Sequence, residues 1–294
     1  CSGLATYLAT EKLHLYGVYM KLGVRRSKLA MAYAQKVIDA LPFPDIEIVP
    51  IVTEGDIKSN TSIQEIGGKG VFVTEIEKHL LEKTIDIAVH SFKDLPAEMD
   101  DRLEISAVLE RSDPRDCFVG TLFPNARVGT GSPRRIAQLK SNFSANFDIQ
   151  PIRGNIDTRI AKLDLEQYDA IVLAVAGLEA LGLQDRITKI FPFDKMLPCV
   201  GQGVIAIQTR KDIEYPNIIK SISHMPTYYS VMAEREMLKT IGGDCHTAVG
   251  VISSLVGDCI MLKAINYSTD KQHELVGKKK DYISLGRELG NYIL

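Results

Sequence analysis

Val128-Gly129-Thr130-Gly131-Ser132-Pro133-Arg134-Arg135 reads as the end of a strand, a turn of small residues and a helix that begins at a proline. Proline is favoured in the first turn of a helix, because the N–H it lacks would have no partner there anyway. The free N–H groups of such a turn and the helix dipole aim at whatever lies beyond the strand end, and two guanidinium groups reinforce them. The stretch is an anion cradle at a strand-to-helix junction. One unit later, Ile152-Arg153-Gly154-Asn155-Ile156-Asp157-Thr158-Arg159 repeats the design. Arg134, Arg135, Arg153 and Arg159 thus gather at two such junctions.

The same alternation runs upstream. From Leu22 to about Leu109, short β-rich runs alternate with amphipathic helical ones, which argues for βαβ units and a largely parallel sheet. Gly23-Val24-Arg25 reads as a strand, Ser27 as an N-cap, and Lys28 to about Leu41 as a helix, followed by a strand from Ile46 to Val52. Thr53 to Gly70 is polar and contains glycines, long enough to form a mobile loop over a site, and helix resumes from Val71 to Glu82. The strand Ile85-Asp86-Ile87-Ala88-Val89 then ends in His90-Ser91-Phe92-Lys93-Asp94-Leu95-Pro96. Ligands of open α/β sheets gather at the carboxyl ends of strands, so Lys93 and Asp94 stand where chemistry is placed. A purely structural Lys-Asp turn fits this segment equally well.

Asp113-Pro114-Arg115-Asp116 interrupts the pattern, and a second series opens at Cys117-Phe118-Val119-Gly120. Ala170 to Val175 is a strand leading into Ala176-Gly177-Leu178. Val200 to Gln208 reads as a glycine turn into a buried strand that crosses back to the first unit. Met225 to Ile241 is helical, strands follow at Val249 to Ile252 and Ile260 to Ile265, and a last helix lies near Tyr282 to Leu294. The expected organisation is an extension at 1–19 outside the fold, a first α/β lobe at 20–112 and 204–220, a second at 113–203, and a small α+β unit at 221–294.

At 294 residues the chain exceeds one ordinary core. With 45% hydrophobic and 24% charged residues it has the composition of a packed globular protein. A net charge of −2 provides no overall field for nucleic acid or an anionic membrane. An anion site must therefore come from local clustering. The five cysteines lack CxxC spacing, which suggests neither a disulfide framework nor a zinc site and fits a reducing, cytoplasmic compartment. The six histidines are scattered without ligand spacing, so no metal is predicted. No apolar run reaches the length of a membrane span.

Guanidinium forks match carboxylates bidentately, so Arg25, Arg134, Arg135, Arg153 and Arg159 with Lys93 suit a ligand carrying several carboxylates or phosphates. Asp94 among these cations could stabilise a developing positive charge or relay protons. Gly242-Gly243-Asp244-Cys245-His246-Thr247 sets one cysteine in a glycine loop after a helical run, where the backbone can approach a bound group and the thiol stays reachable. Taken alone, Cys245 also reads as a small buried hydrophobe.

Together these residues resemble the porphobilinogen deaminase (hydroxymethylbilane synthase) family over nearly the whole chain from about Met20. The resemblance rests on Val89 to Pro96, Gly67-Gly68-Lys69-Gly70-Val71-Phe72-Val73, Gly129 to Arg135, Ile152 to Asn155, Val200-Gly201-Gln202-Gly203 and the cysteine loop. It implies two doubly wound lobes similar to type II periplasmic binding proteins, with a small C-terminal α+β domain. It also implies a transferase of tetrapyrrole and haem biosynthesis. That enzyme would join four porphobilinogen molecules with loss of ammonia into the linear tetrapyrrole hydroxymethylbilane, as a cytoplasmic monomer without nucleic acid or membrane.

By the resemblance, Cys245 would hold a dipyrromethane cofactor through a thioether, and Asp94 would be the catalytic aspartate. Lys93, Thr130, Ser132, Arg134, Arg135 and Gly154 would contact the cofactor, and Arg25, Ser27, Arg153 and Arg159 the substrate. Lys69 would lie by the mobile loop. The sequence departs from the family's pattern at Ala180, where an arginine is usual, and at Lys28, where Ser-Pro is frequent. The alternative from another class is a non-catalytic, two-lobed anion-binding protein of periplasmic-binding type in which Cys245 is inert.

Overall fold

A computed structural model describes residues 19–42, 45–53, 55, 73–214, 216–244 and 247–294. Most of the loop expected at 53–70, with Lys69, lies outside the described residues, as do Cys245 and His246.

The first lobe starts with β1 (Met20–Arg25), α1 (Lys28–Ala40), β2 (Ile46–Ile51), α2 (Thr74–Leu81), β3 (Ile87–Ser91) and β4 (Leu103–Val108). Ser27 caps α1, its hydroxyl accepting from the Ala30 N–H at 3.2 Å. Tyr33, Ala34 and Val37 are the buried stripe of that helix, at the spacing that places them on one face. The second lobe contains β5 (Asp116–Gly120), β6 (Arg127–Gly129), α3 (Pro133–Asn142), β7 (Asp148–Gln150), α4 (Ile156–Asp164), β8 (Ala170–Ala174), α5 (Val175–Ala180) and β9 (Ile187–Ile190). The chain returns to the first lobe as β10 (Ile205–Arg210) and α6 (Pro216–Ser221). It ends in α7 (Met225–Thr240), β11 (Val249–Val256), β12 (Cys259–Asn266), β13 (Lys271–Lys278) and α8 (Tyr282–Ile293).

The sheets run β2-β1-β3-β10-β4, β7-β6-β8-β5-β9 and β11-β12-β13. Both lobes follow one plan. Each has a parallel set and one inner strand that arrives from the other lobe, β10 in the first and β5 in the second, pairing antiparallel with both neighbours. The sheets are therefore mixed rather than largely parallel. β8 and β10 are buried along their whole length, because apolar layers cover both faces. In the third unit β13 was not anticipated: Lys271-Gln272-His273-Glu274 is polar, and the strand is exposed or half-buried throughout.

Two connections join the lobes, residues 109–115 and 191–204. They are tied to each other by the Ser112 N–H to the Gly203 carbonyl at 2.9 Å, and the Leu109 N–H of the first donates to the Ile205 carbonyl at the start of β10 at 3.1 Å. The third unit does not stand apart. Its core is continuous with Phe92, Leu95, Ile105 and Val108 of the first lobe and with Val200 and Val204 of the second connection. Glu234, fully buried in α7, accepts from Arg111 Nη1 at 2.6 Å and from the Gly201 N–H at 2.8 Å, which pins both connections to this helix.

Candidate active site

A cleft of about 620 Å³ separates the lobes, and side chains from both line it. On the first wall Arg25 ends β1, Arg26 and Ser27 form the turn, and α1 presents Leu29, Ala30 and Tyr33. β3 brings His90 and Ser91, and the single 3₁₀ turn Phe92–Asp94 brings Lys93 and Asp94.

Phe92 positions that turn. Its ring is 1% exposed, which stabilises by about 1.5–3 kcal/mol relative to leaving it in water. Its N–H donates to the Val204 carbonyl at 2.9 Å. Gly201 sits against the ring with φ +66, and a Cβ there would lie 2.1 Å from Phe92 Cδ1, so only glycine lets the connection approach. Asp94 thus stands on a backbone fixed from below by the interlobe connection.

His90 Nε2 lies 3.0 Å from Gln208 Oε1, and Gln208 Nε2 donates to Glu77 Oε1 at 2.7 Å. With the amide oxygen facing it, Nε2 is the protonated nitrogen of a neutral ring. Burial pushes the His90 pKa down to about 4, the Gln208 hydrogen bond opposes this and Arg25 adds to it. Burial, with Asp94 adding to it, pushes the Tyr33 phenol up to about 12. Both rings line the same wall as Asp94 and are neutral at ordinary pH.

The second wall is cationic: Arg135, Arg153, Arg159 and Lys162 face the cleft with Gly154, Asn155 and Thr158. Gly154 has φ +109, and a Cβ there would meet Thr158 Cβ at 2.8 Å, so the loop closes on the start of α4 only with glycine. Arg159 Nε donates to the Gly154 carbonyl at 2.7 Å and Lys162 Nζ to the Arg153 carbonyl at 3.1 Å, so each cation is aimed by backbone rather than by a carboxylate. Burial, then the like charges of Arg135 and Arg153, push the Arg159 pKa down to about 10, with Asp94 opposing. Among the described residues, seven cationic side chains and one carboxylate line the cleft, in a chain whose net charge is −2. The ligand that belongs there is polyanionic.

Of the residues expected at the site, Arg25, Ser27, Lys93, Asp94, Arg135, Arg153, Gly154 and Arg159 line this one cleft. Thr130, Ser132 and Arg134 do not. Thr130 is fully buried, its hydroxyl accepting from the Ser132 N–H at 3.3 Å, and Ser132 caps α3. Arg134 turns inward, giving Nη1 to Asp116 Oδ2 at 2.7 Å and to the Leu197 carbonyl at 2.6 Å. Arg26, Tyr33 and Lys162 were missed. Lys162 lies three residues after Arg159, and Tyr33 four after Leu29, so helical spacing carried a signal for both. Ala180, at the end of α5, packs against the first-lobe core around α1 and is not part of the cleft lining.

Two family models match the chain. "Porphobilinogen deaminase, dipyromethane cofactor binding domain" covers residues 20–216, and "Porphobilinogen deaminase, C-terminal domain" covers 228–294. The porphobilinogen deaminase of Caldicellulosiruptor saccharolyticus is 41% identical over 287 residues, spanning 93% of this chain and 98% of that protein. That of Clostridium kluyveri is 42% identical over 286 residues, again 93% and 98%. Among solved structures, the periplasmic aliphatic sulphonate binding protein of Escherichia coli is 15% identical and aligns with 77% of this chain and 75% of its own at a TM-score of 0.39. The two-lobed architecture rests on the strand order and not on that distant likeness. Sequence identity across almost the entire length, together with both family models, shows that the chain belongs to the porphobilinogen deaminase family.

Proposed function

We propose that this cleft joins four porphobilinogen molecules head to tail, with loss of ammonia, and releases hydroxymethylbilane by adding water, on a dipyrromethane held through a thioether by Cys245. The observation that carries the reading is that, among the described residues, one carboxylate, Asp94, is set among seven cations in one interlobe cleft. The residues present fit the cofactor. Acetate and propionate arms call for cations without counter-charge, and Arg26, Lys93 and Arg153 have no carboxylate at ion-pair distance among the described residues. Arg135, Arg153, Gly154, Arg159 and Lys93 would hold it. When bound, the dipyrromethane supplies the nucleophilic pyrrole carbon from which the chain grows.

The remaining work falls to the protein. Arg25, Arg26, Arg135, Arg153 and Arg159 take the carboxylate arms of the incoming porphobilinogen, and Ser27 helps to orient them. Departure of ammonia leaves an electron-poor methylene-pyrrole. Asp94, held by the Phe92 anchor, stabilises the positive charge that develops toward the pyrrole nitrogen, and a preorganised charge of this kind contributes about 3 kcal/mol. His90 and Tyr33, both neutral, add no competing charge beside it.

The same reading has the enzyme act as a cytoplasmic monomer with neither nucleic acid nor membrane as partner, which a column calibrated for mass can check. No helix among the described residues is long and apolar enough to cross a membrane.

Intact mass tests the proposal. The wild-type chain should carry two porphobilinogen-derived rings and, once denatured, colour with an aldehyde reagent for pyrroles. Cys245→Ser replaces the ionisable thiol with a poor nucleophile and should show neither adduct nor turnover. An adduct that survives in Cys245→Ser would end the assignment. A bare wild-type mass without colour would favour the binding-protein alternative.

A further inference from the structure

Asp116 opens β5 just past the first interlobe connection and is fully buried. Its Oδ1 accepts from Arg135 Nε at 3.1 Å, from Arg135 Nη2 at 2.7 Å and from Gln202 Nε2 at 2.9 Å. Its Oδ2 accepts from Arg134 Nη1 at 2.7 Å. Gln202 belongs to the second connection, and its Nε2 also donates to the Pro114 carbonyl of the first at 2.7 Å. One carboxylate therefore meets both guanidinium groups of the Arg134-Arg135 pair and both connections between the lobes.

Two cations against one anion leave a positive charge over. Arg134 is sealed at 3% exposure, its Nη1 spent on Asp116 and the Leu197 carbonyl, so the surplus is presented by Arg135, which lines the cleft. Arg135 is held at a third point, Nη1 donating to the Val172 carbonyl at 2.8 Å. With those bonds made, each terminal nitrogen retains one N–H for a ligand. Adjacent, chemically identical residues thus have unlike fates. One arginine completes a buried ion cluster, and its neighbour is a braced fork at the cleft.

We propose that Asp116 is a positioning residue of the anion site: it fixes the guanidinium plane of Arg135 toward a bound carboxylate and, through Gln202, registers that plane to the two connections about which the lobes meet. Burial by itself would raise the Asp116 pKa, yet Arg134 and Arg135 hold it well below the usual carboxylate range, so the brace stays charged throughout the working pH range. The inference rests on the reading of the cleft as a carboxylate site. A fork held in place loses less freedom when it binds, which is where the gain in affinity originates.

Asp116→Asn in the holoenzyme tests this. It keeps the shape and removes the charge that orients both guanidiniums. KM for porphobilinogen should rise about tenfold or more while kcat falls less than about threefold. Calorimetry with an unreactive pyrrole that bears acetate and propionate arms but no aminomethyl group should show its Kd weakened by a similar factor. A lower kcat or melting temperature at unchanged KM and Kd would mean that Asp116 is only structural, and would overturn the proposal.

Removing one member of a buried ion cluster can unfold a protein, so the double variant Asp116→Asn/Arg134→Met is the second arm. It removes one cation with the anion and leaves Arg135 charged but unbraced. Weak binding of the pyrrole probe there supports positioning, whereas wild-type affinity would show that charge alone suffices and would refute it. Wild-type enzyme that makes no hydroxymethylbilane would instead sink the functional reading, and the calorimetric comparison would still decide the role of Asp116.

Discussion

On the first-lobe wall of the cleft the carboxylate of Asp94, on a turn anchored by the buried Phe92, shares the lining with the neutral rings of Tyr33 and His90 and with Arg25, Arg26 and Lys93. On the second-lobe wall Arg135, Arg153, Arg159 and Lys162 crowd together with no carboxylate among the described lining residues of that wall, Asp116 being buried behind Arg135. The two walls bear different costs. A lone carboxylate in a positive field is favourable and needs only to be held still. A buried cluster of like charges works against the fold, since burial and then the charges of Arg135 and Arg153 lower the Arg159 pKa, and it becomes favourable when a ligand supplies the missing negative charge. The division places the acid of the chemistry on the first lobe, while recognition is shared by Arg25, Arg26 and Lys93 on that wall and the four cations of the second. It also gives the interlobe connections a task, because the charges of one wall must be brought to the reacting atoms of the other.

The largest expected effect breaks the first wall. Asp94→Asn keeps the volume and the Phe92 anchor but removes the negative charge, so kcat should fall about 10²-fold or more, as when a preorganised electrostatic group is lost. Melting should stay within a few degrees of wild type. Near-normal turnover would show that the acid of the reaction lies elsewhere and that the walls do not divide as described.

The second wall answers to Arg159→Gln, which removes one cation and a charge-assisted contact of about 1.5–3 kcal/mol, raising KM roughly tenfold or more with a smaller change in kcat. Stability should move the other way. Because the Arg159 pKa is lowered to about 10 in the fold, the unfolded chain binds more protons between about pH 10 and 12.5, and the charged form is a cost to the folded state at neutral pH. The variant should therefore melt at or above the wild-type temperature. A fall in melting temperature with unchanged KM would mean that Arg159 is structural.

These contrasts also mark what could be read from residues alone. Turn chemistry is local, so Ser27, Pro133 and Gly154 announced strand-to-helix junctions, and Arg25, Arg135, Arg153 and Arg159 from those junctions meet in one cleft. The split between Arg134 and Arg135 could not be read in that way. Successive residues of a helix point about 100° apart, and which one turns inward depends on Asp116, which lies 18 residues before Arg134 on strand β5 of the same lobe. The direction of β5 and β10 was hidden for the same reason. A buried apolar run looks alike whichever way it enters a sheet, and only the two crossings make these strands antiparallel. Tyr33 and Lys162 were legible by helical spacing, but each also passes for an ordinary residue of its helix.

A smaller effect probes the neutrality of the first wall. The folded pKa of His90, about 4, lies below the usual value near 6.5, so on acidification the unfolded chain takes up its proton first and stability drains between about pH 6.5 and 4. His90→Gln should flatten that slope by about 1 kcal/mol per pH unit, read by urea denaturation at several pH values. An unchanged slope would mean that the His90 ring takes up its proton as readily in the fold as in the unfolded chain.

The smallest effect is expected where the chain departs from its family, at Ala180. That methyl group closes α5 against the first-lobe core around α1, the cleft lining does not include it, and Leu29 lies 3.9 Å from where a side chain on neighbouring Gly177 would begin. Here the two lobes touch through apolar surface, so the place of a carboxylate-binding arginine has been used for packing. In Ala180→Arg the guanidinium would have to run along α1 to reach water, keeping its stem on the apolar contact. The expected outcome is a change in KM and in kcat/KM below about twofold, with a loss of stability near 1 kcal/mol, or about 2–4 °C in melting temperature for a protein of this size class. A several-fold fall in KM would contradict this. It would show that the new cation reaches the ligand, that the second wall is one charge short of what its substrate can use, and that contact between α1 and α5 yields easily when the lobes adjust.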